Sequence, residues 1–292
     1  MTPAKPSPPL VLTFAGSDPT GGAGLQADLM TIASLGCHPL SVITAITVQD
    51  SERVAGFIAV EADWVEDQAR QVLEDMTVAA FKIGFVGSVE NVAVIAEIVS
   101  DYPDIPLVFD PVLAAGNGDD LAGEEIIEAM RELLVPQTTV LTPNSLETRR
   151  LVDGAGDEAE IDECAYHLLG LGCEYVLVTG THENTSQVVN RLYGPIATAD
   201  KAAADDGNDD GGRIEVGLVR SDAWTRLPGS YHGSGCTLAS AIAAMLANGQ
   251  DVPAAVREAQ EYAWNTLRFA FRPGMGQHIP DRFFWARREG EE

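Results

Sequence analysis

"LVLTFAGSDPTGGAGLQADL" (residues 10–29) decides the fold. Its first seven residues form an apolar run suited to a buried strand, and a helical pattern takes over from 23 to 35. Between the two, three glycines fall within four positions, at 21, 22 and 24. The same strand–turn–helix unit recurs down the chain. Further strands are expected at 41–47, 79–85, 106–110, 138–142 and 175–180, with helices near 64–75, 88–100, 123–134, 145–152 and 160–171. This repetition implies an α/β fold built on a parallel sheet covered on both faces. Past residue 180 the pattern changes. "SQVVNRLYG" (186–194) and "RIEVGLVRS" (213–221) read as antiparallel strands joined by "ADKAAADDGNDDGGR" (199–213), an acidic surface loop with nothing to pack. Two long helices, near 235–248 and 252–271, complete a single domain over 10–286, flanked by tails at 1–9 and 287–292.

The totals narrow the function. With 292 residues and 46% hydrophobic content the chain buries a large core. Its net charge of −26 arises from 44 acidic against 18 basic residues, of which only Lys5, Lys82 and Lys201 are lysine. Such a field repels nucleic acid and anionic membranes. It also suits a protein working in concentrated salt, where the Debye length shrinks to about 3 Å at 1 M. Cys37, Cys164, Cys173 and Cys236 show no paired spacing, so neither a disulfide framework nor a structural zinc site is expected. No stretch approaches the ~20 apolar residues of a membrane span, and a cytoplasmic protein is expected.

Ligands of an open parallel sheet bind beyond the carboxyl ends of its strands. The glycine loop after the first strand allows close backbone approach, although an ordinary strand-to-helix turn fits it equally. Gln49, in "TVQD" (47–50), can donate to and accept from a heteroaromatic ring, or be a plain loop glutamine. Asp110 ends a strand that should be buried, and Glu147 opens a helix after "LTPN" (141–144). Either acid alone is commonly a cap or a solvated charge; together, at neighbouring strand ends, they suit a magnesium ion held through water beside phosphates. In "HGSGCTLASAIAA" (232–244) the backbone N–H groups of Gly233, Ser234, Gly235 and Cys236 open a helix and suit a phosphoryl group. The same helix start lowers thiol pKa values, which would make Cys236 a thiolate; the bland alternative is an inert buried cysteine.

Taken in order, "AGSDPTGGAGLQADL" (15–29), "SVITAITVQD" (41–50), "KIGFVGS" (82–88), "FDPVLAAGNGDDL" (109–121), "LTPNSLE" (141–147) and "HGSGCTLASAIAA" (232–244) resemble the hydroxymethylpyrimidine and phosphomethylpyrimidine kinases of thiamine biosynthesis. The closing "GMGQHIPDRFFWA" (274–286) is similar to that family's tail, and the resemblance spans about 10–286. It implies a ribokinase-like three-layer αβα sandwich with a mostly parallel sheet and a few antiparallel edge strands, often a homodimer. It further implies ATP as phosphate donor, Mg2+, and a pyrimidine substrate. Carried over residue by residue, Cys236 is the base, and Gly233, Ser234, Gly235 and the Cys236 backbone form the anion hole. Gln49, Ala23, Asp28, Gly16, Thr47, Phe85 and Val112 fall on the substrate side. Asn144, Thr179 and Gly180 fall on the ATP side, with Asp110 and Glu147 at the metal. One departure stands out: where the family carries "KGGH", this chain has "TGTH" (179–182), with Thr179 replacing a lysine and Thr181 a glycine. Either nucleotide binding is weaker, or a potassium ion (K+) replaces the lost charge. Pyridoxal kinase, or a pyrimidine-binding regulator without turnover, are the rival readings.

Overall fold

Side-chain alternation along β1 (Leu10–Ser17) sets the architecture. Val11 turns to one face, Leu12 and Phe14 to the other, and all three are fully buried, because successive strand side chains point to opposite faces. The Val11 face, continued by Ala80, Val108, Val140 and Leu177, packs on α1 (Gly24–Ser34), α7 (Ser234–Ala247) and α8 (Val252–Arg268). The Leu12 and Phe14 face packs on α2 (Ala62–Asp75), α3 (Val89–Ser100), α4 (Glu124–Ala129) and α6 (Ile161–Gly170). The result is a three-layer αβα sandwich. The structure, a computed structural model, describes residues 7–115, 118, 120–156, 158–183, 185–196 and 215–286. The acidic loop at 199–213 and the tails at 1–6 and 287–292 lie outside the described residues.

The remaining strands are β2 (His38–Gln49), β3 (Val54–Ala59), β4 (Ala80–Ile83), β5 (Leu107–Phe109), β6 (Val140–Leu141), β7 (Tyr175–Val178), β8 (Gln187–Pro195) and β9 (Val216–Thr225). They form one sheet in the order β3-β2-β1-β4-β5-β6-β7-β8-β9. From β2 to β7 every pairing is parallel; β3 at one edge and β8 and β9 at the other are antiparallel. The expected strands are all present; β4 to β7 are shorter than expected, whereas β1, β2 and β9 are longer, β2 reaching twelve residues. β3 carries little strand signal of its own, because "VAGFIA" has a central glycine and buries none of its residues fully. The chain runs from β1 outward to β3 and then returns to β4, so the order in which strands are added reverses between β1 and β4, which remain parallel. That crevice is where such sheets bind ligands. α7 crosses behind it, buried continuously from Thr237 to Ala244 by small side chains that let it approach the sheet closely. No helix among the described residues is long and apolar enough to cross a membrane.

Candidate active site

A cavity of about 800 Å3 opens over the carboxyl ends of the central strands. Its wall gathers Gly16, Ala23, Thr47, Gln49, Phe85, Asp110, Val112, Asn144, Glu147, Thr179 and the whole turn from Gly233 to Cys236. At one end Gln49 donates its amide to Thr47 Oγ1 at 2.8 Å, and Thr47 in turn donates to the Ser17 carbonyl at 2.8 Å. This chain fixes the amide orientation and turns the glutamine's carbonyl to other partners. Phe85 forms an adjacent apolar wall, edge-on to Phe57 at 4.9 Å between centroids. Gly16 lies so close that a Cβ there would meet the Phe85 ring at 2.9 Å. The arrangement offers a flat heteroaromatic ring an aromatic wall and a two-sided amide.

The turn that opens α7 is made by two glycine segments pressed together. Gly233 caps α7 in the left-handed region, φ 79°, and a Cβ on it would come within 1.9 Å of the Gly22 carbonyl. Only glycine fits there, and the α7 start carries no acidic residue in its first turn. Asp18 shapes the opposing loop: its buried carboxylate accepts from Thr20 N at 2.8 Å, Thr20 Oγ1 at 2.9 Å, Ala23 N at 2.7 Å and His232 Nε2 at 2.8 Å. Burial works to raise the Asp18 pKa, but these hydrogen bonds, His232 first among them, hold it below the usual carboxylate value.

Cys236 sits on the wall beneath this turn, half-buried. The structure corrects the expected thiolate: burial pushes the thiol up to about 12, with the Asp110 and Asp28 carboxylates adding to it. The Lys82 ammonium and the Gly24 N–H oppose the shift without overcoming it. A helix start lowers a thiol pKa only where solvation is retained, and here desolvation and two nearby acids dominate.

Asp110 is 5% exposed, and its Oδ2 has no hydrogen-bond partner among the described residues. Burial lifts its pKa to about 6 against the pull of Lys82. Glu147 belongs to α5 (Ser145–Arg150) and completes a capping box. Asn144 Oδ1 accepts from Leu146 N at 2.9 Å and Glu147 N at 3.0 Å, while Glu147 Oε2 accepts from Asn144 N at 2.9 Å. Burial, then the neighbouring Asp110, lifts Glu147 to about 8. Among the described residues no cluster of three His, Cys, Asp or Glu is poised on a metal. Two adjacent carboxylates with an orphaned oxygen fit a magnesium ion that keeps much of its water, and do not fit a fully protein-ligated one.

Two expected contacts are placed elsewhere. Asp28 is wholly buried off the cavity wall, accepting from Lys82 Nζ at 2.9 Å, Thr13 Oγ1 at 2.8 Å and Ser240 Oγ at 2.7 Å. Gly180 also lies off the wall, donating its N–H to Asn190 Oδ1 at 3.1 Å, with the Val189 carbonyl 2.3 Å from where a Cβ would sit. Other residues went unread. Lys82 lies at the cavity floor, and its pKa is raised: burial opposes the charge, but Asp28, Cys236 and Asp110 together hold the proton. A lysine inside a hydrophobic strand pattern was the available signal. Arg149, Arg150 and Arg226 ring the far end beside Thr179, and Trp224 and Trp264 stack there at 6.3 Å.

The chain is similar to known proteins in sequence and in fold. A family model described as phosphomethylpyrimidine kinase matches residues 18–281. A hydroxymethylpyrimidine/phosphomethylpyrimidine kinase of Streptomyces coelicolor is 38% identical over 275 residues, 92% of this chain and 93% of that one. Among solved structures, an ADP complex of Bacillus subtilis pyridoxal kinase superposes with a TM-score of 0.77 at 27% identity, covering 96% of this chain and 99% of that one. A phosphomethylpyrimidine kinase of Clostridium difficile superposes with a TM-score of 0.69 at 30% identity, covering 87% and 97%.

Proposed function

The chain belongs to the phosphomethylpyrimidine kinase family, and on that premise we propose how its residues phosphorylate 4-amino-5-hydroxymethyl-2-methylpyrimidine and then its monophosphate, with ATP as donor. One observation carries the reading. A single cavity holds a ring-binding end at Gln49 and Phe85, an anion-binding turn at 233–236, and a paired acid site at Asp110 and Glu147.

The pyrimidine lies against Phe85 and Val112, with Gln49 pairing to its amino group and ring nitrogen. Its hydroxymethyl oxygen then faces Cys236 and the free N–H groups of the α7 start. The ATP triphosphate runs from that turn past Asn144 and Thr179, with the three arginines at the far end. Asp110 and Glu147 would hold a magnesium ion, which would supply charge neutralisation to the phosphates. In a loose phosphoryl-transfer transition state the acceptor gives up its proton late. Positioning and charge therefore contribute more than basicity, in keeping with a thiol pushed up to about 12. Cys236, as a neutral thiol, orients the acceptor hydroxyl, and once bond formation is advanced the hydroxyl proton passes to an oxygen of the transferred phosphoryl group. Ile46, Val48 and Ile58 expose an apolar strip on β2 and β3, which supports a homodimer.

The test is ATP consumption in molar KCl with magnesium, in parallel on the pyrimidine, its monophosphate and pyridoxal. Turnover of both pyrimidines with little of pyridoxal is expected. Preference for pyridoxal would move the chain to the activity of its Bacillus subtilis neighbour, and binding without turnover would make it a regulator.

A further inference from the structure

Among the described residues, no carboxylate hydrogen-bonds to the buried Arg282 cation. It is 2% exposed, and its guanidinium donates to three uncharged oxygens: Gly22 O at 2.6 Å, Gly21 O at 3.4 Å and Thr237 Oγ1 at 3.2 Å. Its own carbonyl accepts from the Tyr262 hydroxyl at 2.8 Å, which anchors it from behind. Burying a charge is costly unless it is used, and an apolar residue would fill the space at lower cost. Burial pulls the Arg282 pKa down, and the Asp28 and Asp18 carboxylates lie near enough to oppose that shift.

The partners explain the placement. Gly21 and Gly22 belong to the loop before α1, and Gly22 is the residue whose carbonyl faces Gly233. Thr237 belongs to α7 and donates its hydroxyl to the Gly233 carbonyl at 2.7 Å. The two terminal nitrogens therefore hold one glycine segment, and Nε holds the residue that fixes the second. We propose that Arg282 is a positioning residue for phosphoryl transfer: its planar fork locks the two glycine segments in register and sets its charge behind the anion-binding N–H groups. A planar, bidentate donor does this where a lysine ammonium cannot. The proposal rests on the kinase reading.

The test compares Arg282→Lys and Arg282→Ala with the unaltered full chain, using whichever acceptor the unaltered chain phosphorylates. A failed pyrimidine reading then appears in the unaltered chain and leaves this comparison intact. For both variants, kcat is expected to fall about 10²-fold, the cost of a misplaced cradle. KM for ATP and for the acceptor should stay within about threefold, because ground-state contacts are untouched. Methylguanidinium should restore about tenfold of the lost rate to the alanine variant at a temperature where it is folded. An Arg282→Lys chain that is folded and retains full kcat overturns the proposal. So does a rate loss in the alanine variant that tracks its loss of folded protein and is not rescued. Should the alanine variant fail to fold, the lysine variant alone decides.

Discussion

At Cys236 the thiol and the charges around it divide the work. Lys82 pulls its pKa down while Asp110 and Asp28 push it up, and burial decides in favour of the protonated form. Cys236→Ala is expected to lower kcat about 10²-fold with KM for the pyrimidine nearly unchanged. Steady-state kinetics on the isolated protein check this, and full retention of kcat would remove Cys236 from the mechanism. Asp110 makes a separate prediction. In the unaltered chain, millimolar magnesium should raise Tm, because a cation relieves two buried carboxylates that crowd each other. In Asp110→Asn that rise should vanish, and a thermal melt with and without EDTA reads the difference. At this scale the sequence was informative about wall residues and silent about what lies behind them. Asp110, Gln49 and Cys236 stand at strand or helix ends, where position along the chain fixes position in the cavity. Asp28 stands inside α1, and the face it presents depends on Lys82, fifty-four residues on. No local pattern contains that pairing.

The decisive element is the α7 start with the loop it rests on. Gly233→Ala should abolish turnover and lower Tm sharply, since strain of about 1–3 kcal/mol for the left-handed backbone adds to a collision with the Gly22 carbonyl. Gly36→Ala is the control: φ is also positive, 82°, but nothing lies within 4 Å of the added carbon, so only the conformational cost remains. The loop itself depends on the Asp18 carboxylate. Its folded pKa lies below the ordinary 3.8, so its stabilisation is complete above about pH 4 and is lost as pH falls through the folded value. Asp18→Asn should therefore be less stable near neutrality, and the gap should close as pH falls from 5 towards 2. Thermal melts across that range measure it. Elements with a strong period were legible in the sequence, and the central strands lie where β-branched runs placed them. β3 was not, because an edge strand is held by β2 rather than by its own composition.

Over the whole molecule, a charge of −26 on 292 residues makes self-repulsion a global term. Tm should rise steeply from low salt into molar KCl as that repulsion is screened. Equal NaCl should stabilise alike if screening is the cause, and a kcat advantage confined to KCl would point to a bound potassium ion near Thr179. The far end of the described chain holds the molecule together across its longest sequence distances. Gln277 N donates to the Ser51 carbonyl at 2.8 Å, His278 O accepts from His232 N at 2.9 Å, and Arg282 reaches back to Gly22. This strap has a consequence in time. A chain growing on the ribosome makes the acceptor wall first, the acid pair midway and the phosphoryl turn later, and only then the residues that press the two glycine segments together. Products of interrupted translation that stop just short of residue 282 hold every group that touches substrate yet should consume ATP about 10²-fold more slowly.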